Sequence, residues 1–130
     1  MSGNKEIAFL QDKDFKEDGT FKIDNNNEIL LKHRIIVIML QITGCPPCEQ
    51  AKPRFQAYAN KTNSNDVFCA TISITKEKDL ANRVDTFIKV AKNGFPCYAL
   101  YIDGKLQDKE ITGRGIKELG EFTGVKVPGY

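Results

Sequence analysis

Ile35-Ile36-Val37-Ile38-Met39-Leu40, followed shortly by Gly44-Cys45-Pro46-Pro47-Cys48, is the stretch on which the fold turns. Its first part is wholly apolar and rich in β-branched residues, the pattern of a central strand covered on both faces. Its second part opens an amphipathic segment in which Ala51, Phe55, Tyr58 and Ala59 recur at helical spacing. A Cys-x-x-Cys at a strand-to-helix junction is a setting for redox chemistry.

Two thiols so spaced can close a small disulfide ring and open it again, carrying two electrons. At a helix start the first sulfur lies beside backbone N–H groups that have no intrahelical partner, and it feels the positive end of the helix dipole. Both effects favour thiolate, and the range recorded for cysteines in this setting is roughly 3.5 to 7.5 against about 8.5 for a free thiol. Thiolate is the attacking species in disulfide exchange. Cys45 is therefore expected as the nucleophile and Cys48, one turn into the helix, as the resolving thiol. Pro46 and Pro47 suit a first helical turn, where a missing N–H costs nothing, and they stiffen the ring.

A Cys-x-x-Cys can also be half of a zinc site, but zinc takes a second Cys/His pair at short spacing. Cys69 and Cys97 stand singly in apolar segments, and His33 precedes the core strand. No metal is expected. Cys69 reads as a core residue. Cys97 reads as packed too, with a regulatory thiol beside the active pair as the other possibility.

The 130-residue chain is 41% hydrophobic, enough for one domain with a sizeable core. Its 19 basic and 17 acidic residues leave a net charge of +2, spread without the basic patch of a nucleic-acid binder. The apolar run at residues 35–40 is far short of the about 18 residues of a membrane span, and Met1 to Glu6 lack the apolar region of a secretory signal. A cytoplasmic, reducing setting is expected; the Asn-, Ile- and Lys-heavy usage hints at an AT-rich genome, that of a parasite, an AT-rich bacterium or a large DNA virus, and in the last case a virion is the other setting. In a reducing compartment a Cys-x-x-Cys is catalytic more often than structural.

Along the chain, residues 7–10 read as a short strand. Phe15, Phe21 and Ile23 flank either a hairpin at Asp18-Gly19 or a short helix. Val67 to Ile74 reads as a buried strand and Glu77 to Lys92 as an amphipathic helix. Cys97 to Ile102 reads as a strand, Asp103-Gly104 as a tight turn, Leu106 to Ile111 as a polar edge strand, and Gly115 to Phe122 as a closing helix.

Taken in order, Leu10 to Phe15, Cys45-Pro-Pro-Cys48 with Pro53, Gly94-Phe95-Pro96, Asp103-Gly104-Lys105 and Gly113 resemble the landmarks of the thioredoxin family over nearly the whole chain. The resemblance implies a single thioredoxin-like α/β domain over residues 1–130, a central mixed β-sheet flanked by helices, with residues 1–5 and 124–130 as tails. It implies a cis-proline at Pro96 facing the thiols, and a substrate groove formed by Gly44, Pro46, Pro47, Phe95, Pro96 and Gly113. The implied activity is reduction of protein disulfides by mixed-disulfide exchange. The chain would act as a monomer without a cofactor and be reset by a reductase or another dithiol donor.

Departures from the family pattern leave alternatives open. Gly44 stands where the family usually has Trp, Met39 where it has a buried acid, and Thr71 where that acid's lysine companion falls. A thioredoxin-like protein-binding module with weak or no turnover is one alternative. Glutaredoxin-like, glutathione-dependent chemistry is the other, with Arg114 in reach of a carboxylate but Ile42 and Gly113-Arg114 in place of that group's basic residue and Gly-Gly.

Overall fold

A computed structural model describes residues 7–17, 20–21, 32–62, 66–79 and 94–130. At its centre is β2 (Ile35–Gln41), in which all seven residues are buried. The preceding strand β1 is Ala8–Phe9. Helix α1 (Pro46–Lys61) follows β2 and leads to β3 (Val67–Ser73). Then come β4 (Cys97–Ile102), β5 (Lys105–Leu106) and helix α2 (Ile116–Thr123). The strands form one mixed sheet in the order β1-β3-β2-β4-β5. β2 runs parallel to β3, with Met39 opposite Thr71, and antiparallel to β4, with Leu40 opposite Cys97.

Strand side chains alternate between faces, so β2 feeds two cores. Ile36, Ile38 and Leu40 point to one face, where they meet Phe15, Phe21 and Tyr101. Ile35, Val37 and Met39 point to the other, against Phe55 and Tyr58 of α1 and Leu119 and Phe122 of α2. Covering both faces is what an uninterrupted apolar strand requires, and each such side chain contributes about 1.5–3 kcal/mol on burial. α1 supplies its share through Cys48, Ala51, Phe55, Tyr58 and Ala59, which recur on one face while exposed Pro53 lies on the other.

The two readings of the Phe15–Phe21 region resolve toward pairing. Phe15 and Phe21 form an antiparallel bridge, Lys16 N donates to Thr20 O at 2.7 Å, and a 3-10 turn at Asp12–Asp14 leads in. Ile23 and the greater part of the helix expected over 77–92 lie outside the described residues, as do residues 1–5.

Two expectations need correction. The edge strand expected over Leu106 to Ile111 ends at Leu106. Three consecutive exposed charges, Asp108, Lys109 and Glu110, take the chain off the sheet, and Lys109 Nζ reaches the Phe122 carbonyl at 2.8 Å. That places a cation on the free carbonyls at the end of α2. The segment 124–130, expected as a tail, is tied down: Val127 is buried among the α1–α2 residues, and the Tyr58 hydroxyl reaches the Val125 carbonyl at 2.8 Å.

Candidate functional site

Leaving β2 at Gln41, the chain turns through Gly44, which holds φ +73°. No atom lies within 4 Å of where a Cβ would stand, so it is backbone conformation that calls for glycine here. Cys45 follows in extended conformation as the N-cap of α1, with Pro46 and Pro47 in the first turn. Its carbonyl accepts from Glu49 N at 3.1 Å, which starts the helix ladder, and its sulfur accepts from Cys48 N at 3.2 Å. A sulfur thus takes the place of a capping oxygen against an otherwise orphaned amide.

Cys45 and Cys48 are joined by a disulfide, with Cα atoms 5.2 Å apart. Cys48 is fully enclosed and Cys45 is 7% exposed. Pro46 and Pro47 are exposed beside them.

At the same end of the sheet, the loop before β4 approaches the sulfurs. The Phe95–Pro96 peptide bond is cis, and the Phe95 carbonyl oxygen lies 3.7 Å from Cys45 Sγ. Neither sulfur of a disulfide bears a proton, so this is a contact and not a hydrogen bond. Pro96 is buried and Phe95 half-buried. Beyond Pro96 opens a cleft of about 250 Å³ that includes Gly113 and Arg114. Of the expected groove residues, Pro96 and Gly113 line this cleft. Gly44, Pro46, Pro47 and Phe95 stand outside its wall, on the disulfide side.

The remaining cysteines, Cys69 and Cys97, are not joined in a disulfide and are both buried. Burial pushes the Cys97 thiol up to about 12. Among the described residues, no group of three His, Cys, Asp or Glu side chains is arranged to hold a metal ion.

Behind the site, the positions of Met39 and Thr71 carry no charge but are not inert. Thr71 Oγ1 donates to the Met39 carbonyl at 2.7 Å and accepts from Gln41 Nε2 at 2.7 Å. Gln41 is 6% exposed and went unnoticed in the sequence. The available signal was its position, two residues after Met39 and so on the same face of β2. A second cleft of about 250 Å³ is bounded by Met39, Gln41, Thr71, Lys52 and the exposed Phe9.

Comparison with known proteins agrees with this architecture. The family model described as Thioredoxin matches residues 19–123. A thioredoxin-like protein, 453L, of Invertebrate iridescent virus 6 is 28% identical over 133 residues, covering 91% of this chain and 92% of the viral protein. A thioredoxin of Coprinus comatus is 23% identical over 89 residues, 68% of this chain and 78% of its own. Among solved structures, the zinc-bound form of human ERp44 superposes with a TM-score of 0.64 at 20% identity, covering 91% of this chain and 30% of ERp44. The first thioredoxin domain of mouse protein disulfide-isomerase A4 gives 0.61 at 18% identity, over 94% of this chain and 76% of that one. With the family model spanning most of the sequence and the Cys45–Cys48 disulfide at the head of α1, the chain belongs to the thioredoxin family.

Proposed function

We propose that this chain reduces disulfides in protein substrates through the Cys45/Cys48 dithiol. The observation that carries the reading is the disulfide itself, closed across the first turn of α1 with the Phe95 carbonyl 3.7 Å from Cys45 Sγ. In the reduced protein the Cys45 thiolate attacks one sulfur of the substrate disulfide. That forms a Cys45–substrate bond and expels the other substrate sulfur as a thiolate. Cys48 then loses its proton and attacks Cys45 Sγ, releasing the second substrate thiolate and leaving the Cys45–Cys48 disulfide. The substrate has gained two electrons and the protein has lost two. An external dithiol or reductase returns them, and no cofactor takes part.

Cys45 is the attacking residue because it is the less enclosed cysteine of the pair and its sulfur accepts from an amide of the helix it caps. Such an amide stabilises negative charge on sulfur. Enclosed Cys48 is the resolving thiol. An extended substrate segment would lie against the Phe95 backbone in the manner of an added strand, in a reducing compartment where the dithiol can be regenerated. No helix among the described residues is long and apolar enough to cross a membrane.

The test is turnover of a disulfide-bonded protein with dithiothreitol as electron donor, comparing wild type with Cys45→Ser. Acceleration by wild type and none by the variant supports the reading. Equal rates would leave only a binding role, which Gly44, Met39 and Thr71 favour by replacing residues the family uses around its thiols.

A further inference from the structure

The wall of the cleft beside Pro96 includes two polar residues that the exchange chemistry does not use. Tyr98 lies in its wall and is only 2% exposed, and its hydroxyl, itself closed to solvent, has no hydrogen-bond partner among the described residues. Buried tyrosine hydroxyls nearly always find one, so an orphan on a residue of a cleft wall points to an acceptor arriving from outside. Arg114 lies in the same wall, is exposed, and forms no ion pair with any described residue. Its planar guanidinium matches a carboxylate in two-point geometry.

We infer that this cleft is a substrate-selecting subsite, in which the Arg114 guanidinium and the Tyr98 hydroxyl hold the carboxylate of an acidic residue flanking the target disulfide. The inference rests on the reductase reading and names the substrate class it prefers.

Position supports it. Pro96 belongs to the cleft, and the residue before it places its carbonyl 3.7 Å from Cys45 Sγ, so the cleft opens beside the loop that meets the attacking sulfur. Charge supports it as well. Burial raises the Tyr98 hydroxyl to about 12 while the guanidiniums of Arg114 and Arg54 act to lower it, so the phenol is a protonated donor in a positive local field. Glu110 is the one acidic residue in the wall, and it is exposed. It opposes an incoming carboxylate and so moderates the preference.

The test uses disulfide-linked peptides that differ only in the residue flanking the cysteine: Glu, Gln or Lys. With dithiothreitol recycling, kcat/KM for the Glu peptide is expected to exceed that for the Gln peptide by about fivefold, the worth of a partly exposed charge pair, with the Lys peptide below both. Added salt should shrink the preference. Arg114→Gln should bring the Glu/Gln ratio to about one, Tyr98→Phe should lower it, and Glu110→Gln should raise it. Equal rates for the Glu and Gln peptides in wild type would overturn the inference, as would a preference that survives Arg114→Gln or one that Tyr98→Phe leaves unchanged.

Turnover of the Gln peptide separately tests the reductase reading. If no peptide turns over, equilibrium binding of the same peptides with alkylated cysteines decides the subsite alone. Tighter binding of the Glu peptide supports it, and equal binding overturns it.

Discussion

Cys45 Sγ and the carbonyl oxygen of Phe95 lie 3.7 Å apart although fifty residues separate them in the chain. The contact is made by the central pairing of the sheet. β2 ends just before the turn that delivers Cys45, and β4 begins just after Pro96, with Leu40 and Cys97 opposite each other in the ladder. Antiparallel register therefore fixes where the two loops meet. A one-residue slip would reverse which side of the sheet every β4 side chain faces, exchanging Cys97 and Tyr98 between the two cores. The site is as well defined as this ladder, in which every residue of β2 and all of β4 but Ile102 are buried.

If Cys45 attacks and Cys48 resolves, removing the second thiol should stop the cycle halfway. Cys48→Ser is expected to accumulate a covalent Cys45–substrate adduct, visible as a mass-shifted species on a non-reducing gel and released by dithiothreitol. Cys45→Ser should form none. Equal adduct formation by the two variants would reverse the assigned roles.

How far the sequence disclosed this arrangement depends on how local each signal was. β4 runs over Cys97–Ile102 as its apolar pattern indicates, and β2 exceeds its apolar run only by Gln41. Burial on both faces leaves a mark on every residue of a strand. The Cys-Pro-Pro-Cys helix start was legible because capping and proline tolerance are first-turn properties. By contrast, the packing of residues 124–130 depends on Tyr58, far away in sequence, whose hydroxyl meets Thr123 Oγ1 at 2.6 Å and the Val125 carbonyl. No periodicity in so short a segment announces that. The Gln41–Thr71 pair is hidden for the same reason: it exists only once β2 and β3 are in register. Tyr98 lies inside a strand pattern that any aromatic residue would satisfy, so its unpartnered hydroxyl is visible only in three dimensions.

The Gln41–Thr71–Met39 chain makes a definite energetic prediction. Thr71→Val preserves shape but removes the acceptor for the buried Gln41 amide and the donor to the Met39 carbonyl. Leaving buried polar groups unpaired should cost about 1–3 kcal/mol, read from the urea midpoint. Adding Gln41→Leu removes the stranded amide, so the double variant should lose less than the sum of the two single variants. Strict additivity would show that the two side chains are not coupled.

Alkaline pH should destabilise the protein in a window set by β4. Burial raises Cys97 from the ordinary 9.0 to about 12. Burial likewise raises Tyr98 from 10.0 to about 12, with Arg114 and Arg54 opposing it and Cys97 adding to it. In both cases the fold disfavours the charged form, so the unfolded chain releases these protons first as pH rises. Their stabilising contribution is fully present below the unfolded values and is lost as pH climbs toward about 12. The urea midpoint should fall across that window, and Cys97→Ala should flatten the slope most at its lower end, where the free thiol ionises. Lysine deprotonation acts on both proteins and cancels in the comparison. Identical slopes for wild type and Cys97→Ala would show that the thiol ionises as freely in the folded chain as in the unfolded one, contrary to its burial beneath the loop that carries Pro96.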